Sequence, residues 1–102
     1  MNEEPIYKTC SDGTKSWRLP SNGFLHHEIL PACEYIDGTK EWFLNGKTSR
    51  MDGPAIEFYN GDKHWYIDGD FLEPEKAIKD PELQVKHPKL IEAMIIWLVH
   101  ES

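Results

Sequence analysis

The chain has 102 residues, a formal net charge of −7, 39% hydrophobic and 28% charged residues, an ordinary globular mix. That length suits one domain, residues 1–102, with one modest core. The negative field disfavours nonspecific contact with nucleic-acid phosphates and favours solubility and a basic partner. Cys10 and Cys33 are the only cysteines, which is neither a disulfide framework nor a Cys-x-x-Cys pair.

At the start, Met1-Asn2-Glu3-Glu4-Pro5 is acidic and lacks the apolar stretch of a signal peptide. The longest apolar run, 93–99, is far short of the about 20 residues that span a bilayer. A soluble, cytoplasmic protein with no membrane contact is the expectation.

All seven glycines follow Asp or Asn: Asp12-Gly13, Asn22-Gly23, Asp37-Gly38, Asn45-Gly46, Asp52-Gly53, Asn60-Gly61 and Asp68-Gly69. Asn-Gly and Asp-Gly favour two-residue hairpin turns, which need positive φ at both central residues. Between them the pattern predicts strands at 15–19, 24–28, 32–36, 40–44, 47–50, 55–59, 63–67 and 70–72. Turn chemistry every seven to eight residues predicts an antiparallel meander of hairpins over 8–72. Cys33 falls in one strand and is expected to pack as a small apolar residue.

The chain also repeats. Asp37-Gly38-Thr39-Lys40-Glu41-Trp42-Phe43-Leu44 aligns with Asn60-Gly61-Asp62-Lys63-His64-Trp65-Tyr66-Ile67 at an offset of 23, and Asp12-Gly13-Thr14-Lys15-Ser16-Trp17-Arg18-Leu19 is a third copy. Pro31-Ala32-Cys33-Glu34-Tyr35 matches Pro54-Ala55-Ile56-Glu57-Phe58 at the same offset. Each Trp lies four residues after a turn Gly, so Trp17, Trp42 and Trp65 are expected at equivalent, buried places on one sheet face.

The run from Trp42 to Glu57 resembles a tandem repeat of tailed-phage and giant-virus proteins, distantly similar to MORN-type hairpin repeats. Its consensus is close to Trp-x-x-Asn-Gly-Lys-x-His-Arg-x-Asp-Gly-Pro-Ala-x-Glu. The resemblance covers about Asp12 to Gly69, somewhat more than half of the chain, and departs in places. Ser49 stands where His is usual, His26-His27 where His-Arg is expected, and Leu30 takes the place of Gly53 before Pro31. The resemblance implies a hairpin-repeat fold and a phage origin.

After Leu72 glycine stops and helix formers begin. Residues 73–79 fit one helical turn. Asp80-Pro81-Glu82 is a capped helix start. Residues 88–100 read as a helix that is apolar on nearly every side, with Ile96 and Val99 extending the face of Leu90, Ile91, Met94, Ile95, Trp97 and Leu98. Such a helix either covers the sheet alone or also meets a second chain, including a second copy; insertion between the sheet and 74–85 is the rival arrangement. The expected class is therefore α+β, a hairpin-repeat meander followed by a helical segment over 73–102.

No sequence motif marks a catalytic or metal site. His26 and His27 are adjacent, so a regular strand would point them to opposite faces. His64, His87 and His100 show no ligand spacing. The turn carboxylates have a backbone reason to be there. We therefore expect no enzyme, no cofactor and no metal. Phe43, Tyr59 and Tyr66 alternate opposite the Trp face and, with Ile96 and Val99, are the candidate contact residues. The expected function is noncatalytic binding of a protein. With the phage resemblance, that means an accessory protein inhibiting a host factor such as a defence enzyme or toxin. The alternatives are assembly through homo-oligomerisation and acidic mimicry of nucleic acid.

Overall fold

The computed structural model describes residues 3–101. Its strands are β1 (Ile6–Thr9), β2 (Lys15–Arg18), β3 (Cys33–Glu34), β4 (Lys40–Glu41), β5 (Phe43–Leu44), β6 (Lys47–Thr48), β7 (Ile56–Glu57), β8 (Lys63–Ile67) and β9 (Asp70–Leu72). Three helices follow: α1 (Pro74–Ala77), α2 (Pro81–Lys86) and α3 (Pro88–Glu101). Seven strands form one sheet in the order β1-β2-β3-β4-β7-β8-β9, every pair antiparallel, and β5-β6 form a two-stranded sheet. The fold is α+β, as expected, and built mostly of hairpins.

The register explains why it holds. Direct partners run Lys15↔Glu34, Glu34↔Lys40, Lys40↔Glu57 and Glu57↔Lys63, a row of alternating charge across five strands. Two residues along, on the same face, Trp17 N–H donates to Ala32 O and Trp42 N–H to Ala55 O. The parallel row is therefore Trp17, Ala32, Trp42, Ala55, Trp65. Large and small residues alternate, and both alanines are fully buried between flanking indoles. A one-residue slip would break both rows at once.

Two turn types share the glycines. Asn45-Gly46 and Asp68-Gly69 have positive φ at both positions and close the tight hairpins β5-β6 and β8-β9. At Asp12-Gly13, Asp37-Gly38 and Asn60-Gly61 only the Gly is left-handed. There the Asx Oδ1 accepts from the N–H two residues on, at Thr14, Thr39 and Asp62. The expectation of two-residue turns throughout is corrected accordingly.

Gly53 differs again, because its φ is not left-handed. A Cβ there would lie 2.8 Å from Cζ of Arg50, so a side chain at this position would push the guanidinium off its contacts with Trp42, Asp52 and Glu57. Gly53→Ala should cost about 1 kcal/mol through displacement of Arg50. In an Arg50→Ala background the added cost should shrink, because nothing is left to collide. Equal costs in both backgrounds, read from denaturant midpoints, would reject the steric account.

Other corrections concern the strand bounds, and the largest is a break at Trp42. The expected strand 40–44 is split by Trp42 into β4 and β5, so β4 pairs with β7 and the β5-β6 hairpin leaves the main sheet. Strands 32–36, 47–50 and 55–59 shrink to two residues each. Segment 24–28 keeps only the bridge Arg18↔Leu25. On one side it bonds to residues 17–19, through Leu19 N–H to Phe24 O and His26 N–H to Trp17 O, and on the other it joins the next hairpin: His27 N–H to Phe43 O, and Gly46 N–H to Leu25 O. One repeat later the same bonds run from Arg50 N–H to Tyr66 O and Gly69 N–H to Thr48 O. β1 was not expected, and the sheet begins at Ile6 rather than 8.

The two ends are finished differently. At the place of Ala32 and Ala55, β1 carries Tyr7, whose ring covers Trp17 at 5.0 Å. Trp17 is half-buried and so less covered than Trp42 and Trp65, since no earlier repeat shields it. At the other end Trp65, Ile67, Ala77, Leu90 and Met94 make the main apolar core, with Leu72, Ile78, Leu83, Ala93 and Trp97 packed against it. Asp80 caps α2 by accepting from Glu82 and Leu83 N–H. The helices close the last repeat, as capping elements do in stacked-repeat proteins.

Candidate partner-binding surface

The corner 50–54 ties the second repeat to the third. The Arg50 guanidinium lies 3.9 Å from the centroid of Trp42. It donates to Asp52 at 3.1 Å, to Glu57 at 3.0 Å and to Pro54 O at 3.1 Å. These contacts account for the Arg, Asp, Gly, Pro and Glu of the repeat as structural residues. In the first repeat His27 takes the Arg50 position, edge-on to Trp17 at 4.9 Å. In the third, Trp97 of α3 meets Trp65 edge-on at 6.0 Å. Three lids thus close three tryptophans.

His26 and Ser49 are also equivalent. His26 Nδ1 accepts from Asn45 N–H at 2.9 Å, and Ser49 Oγ accepts from Asp68 N–H at 3.0 Å. His27 Nδ1 accepts from Ile29 and Leu30 N–H. Each neutral ring therefore carries its proton on Nε2, which is a hydrogen-bond donor and not a metal-ligating lone pair. Both rings line one cleft of about 340 Å³ with Trp42, Leu44 and Met51. The expectation of opposite faces fails because 24–28 is not a regular strand. Among the described residues no group of three or more His, Cys, Asp or Glu is placed to hold a metal.

Burial lowers the His27 pKa, His26 nearby adds to this, and Glu28 opposes it. A group harder to protonate when folded binds more protons when unfolded. Its stabilisation is complete above the ordinary His value of 6.5 and is lost as pH falls below that toward the folded value. The thermal midpoint should therefore drop on acidification through this window, and less so in His27→Gln. An unchanged slope in that variant would acquit His27. Burial also pushes the Cys33 thiol up, which disfavours the thiolate a nucleophile needs.

The expected contact residues do not form one patch. Phe43 and Tyr66 are half-buried within the stacked hairpins, and Tyr66 rests edge-on against Phe71 at 5.5 Å. They are not the exposed aromatics that alternation suggested. Tyr59 stands at the Asn60-Gly61 turn, 70% exposed, in the place that Ile36, 80% exposed, holds one repeat earlier. Ile96 and Val99 lie on α3 at 51% and 67% exposure, with Ile95 beside them at 45%. Leu90, Ile91 and Met94 face inward and are buried. α3 is therefore split: one side fills the core and the other presents branched aliphatics to solvent. The arrangement that hid every apolar residue of this helix within the chain is excluded.

A second pocket of about 360 Å³ lies between the 52–54 corner and α3, lined by Gly53, Pro54, Trp65, Ala93, Ile96 and Trp97 among others. Ile96 is at once its wall and part of the exposed helix face. Sequence reading found Ile96 but not this pocket, whose far wall comes from a loop more than 40 residues away in the chain. Among the described residues no helix is long and apolar enough to cross a membrane. No protein family, curated protein or solved structure matches the chain.

Proposed function

We infer that this is a noncatalytic protein-binding protein that engages its partner through the outer side of α3. The observation that carries this reading is the exposure of Ile95 and Ile96 together on a helix whose opposite side is fully packed. Aliphatic residues grouped on a well-supported helix are a common contact surface, and leaving them in water favours association. The net charge of −7 favours a basic partner.

The phage-type repeat adds the role of an accessory protein in the host cytoplasm, binding and inhibiting a host factor. A second reading, self-assembly, is favoured by the same helix face, since a two-fold contact would cover it in both copies. The alternating Lys and Glu row gives no support to mimicry of nucleic acid, which calls for an array of negative charge. The test is affinity capture from a bacterial host lysate, paired with light scattering of the purified protein. One stoichiometric host protein supports inhibition. Self-association alone supports assembly. A monomer that captures nothing rejects both.

A further inference from the structure

Two imidazoles hold the first joint between hairpins, and both do so as acceptors. His26 Nδ1 takes the N–H of Asn45, across on the β5-β6 hairpin, and His27 Nδ1 takes the N–H groups of Ile29 and Leu30. The carbonyl of Ile29 in turn accepts from the indole N–H of Trp42 at 3.1 Å. Residues 27–30 thus lie as a strap over the polar edge of Trp42, which is 7% exposed. Residues 28–30 are neither helix nor strand, and Ile29 is itself 79% exposed. Little besides the His27 ring therefore holds the strap in place.

An imidazole accepts at Nδ1 only while neutral, and the protonated ring is a donor at both nitrogens. A proton on His26 sets N–H against the N–H of Asn45. A proton on His27 sets N–H against two main-chain N–H groups at once. The next joint follows the same plan without a titrating acceptor. There Ser49 Oγ takes the role of His26 toward Asp68 N–H. Arg50, charged at every working pH, stands in the place of His27 and holds its corner as a donor to Asp52 and Pro54 O.

We propose that residues 27–30 are an acid-released strap: protonation of His26 and His27 loosens the first joint and uncovers the indole N–H edge of Trp42, while the joint held by Ser49 and Arg50 stays shut. The opening is local, because His27 N–H to Phe43 O and Gly46 N–H to Leu25 O still tie the preceding residues to the next hairpin. Among the charged groups around the rings, Glu28 and Arg50 line the same cleft, and Arg50 is held by Asp52 and Glu57. Arg18 of β2 turns to Gly23 O, Glu41 of β4 takes the hydroxyls of Tyr35 and Thr48, and Lys47 of β6 is exposed. Burial and the second ring resist protonation of His27, and Glu28 favours it. The strap is therefore closed above the ordinary His value of 6.5 and opens as pH falls below it. The device is separate from the outer face of α3.

The indole and amide N–H signals of the intact protein report on the strap directly. They are compared at about pH 8 and about pH 5.5, either side of imidazole titration, with a soluble nitroxide as the probe of accessibility. The nitroxide should broaden the Trp42 indole signal more at the lower pH, by at least about twofold, the worth of one weak hydrogen bond. The amides of Asn45, Ile29 and Leu30 should shift over the same range. The Trp65 indole should stay shielded and the Asp68 amide should stay still. His26→Ser with His27→Gln copies the serine of the next joint and removes both titrations, and its Trp42 signal should no longer respond to pH. Where that double variant does not fold, seen as a lost Trp65 shield, His27→Gln alone replaces it and should reduce the response. A Trp42 signal equally shielded at both pH values overturns the proposal. So does broadening of Trp65 in step with Trp42, which is general unfolding, or a pH response that survives the substitutions in full.

Discussion

Trp65→Ala should cost about 3–5 kcal/mol, a large part of the stability of a domain this size. The residue is 2% exposed and stands where the sheet meets the helices, packed with Ile67, Leu90 and Met94. Deleting the indole opens a cavity that β8 and α3 frame from two sides, and two framing elements relax less easily than one. Trp17→Ala is the informative control, since repeat and turn spacing make the two residues identical in sequence terms. Trp17 is only half-buried, touching Tyr7 and His27, and its loss should cost clearly less. Denaturant unfolding at equilibrium gives both numbers. Equal costs for Trp17 and Trp65 would mean that stability is spread evenly over the repeats. The buried apolar cluster at the C-terminal end argues for the unequal outcome.

That contrast shows how much the sequence revealed. The turn residues specified hairpins because Asn-Gly and Asp-Gly leave the backbone few other choices, and the 23-residue offset gave the alignment of Trp42 with Trp65. The α2 start at Asp80-Pro81 was legible for the same local reason. What was not legible depended on contacts between repeats. β1 was missed although Asp12-Gly13 demands a strand on both sides, because Ile6–Thr9 lacks the Pro-Ala pair that marks its counterparts. The break at Trp42 is invisible to alternation, since residues 40–44 keep a strand pattern while the pairing partner changes midway.

The site was legible only in part. Periodicity put Phe43 and Tyr66 on the sheet's other face but could not show that stacked hairpins half-bury them. It also flagged α3 as apolar all round without saying which side faces in. The side of Leu90, Ile91 and Met94 is settled by where β8 and β9 end, a tertiary fact. The His26 and His27 cleft was hidden because an irregular segment brings together two rings that a strand would separate.

The second large effect follows from that division of α3 and sets two neighbouring substitutions against each other. Met94→Glu places a carboxylate at a fully buried position beside Leu90 and Trp65. No cation lies in that cluster, so the charge would be unpaired, and such changes cost several kcal/mol. The variant is expected to be largely unfolded or to lose most of its thermal midpoint. Ile96→Glu adds the same charge two residues later, on a side chain already 51% exposed. Its carboxylate can stay hydrated, and the fold should change by roughly 0.5 kcal/mol or less. Binding should respond in the opposite way. If the outer face of α3 is the contact surface, Ile96→Glu leaves a desolvated charge in the complex and should weaken association at least about tenfold. Circular dichroism on heating reads the first effect, and partner capture or light scattering reads the second. A folded Ile96→Glu protein that binds or self-associates as well as the parent would remove the outer face of α3 from the contact. An unfolded one would mean that Ile96 belongs to the core after all.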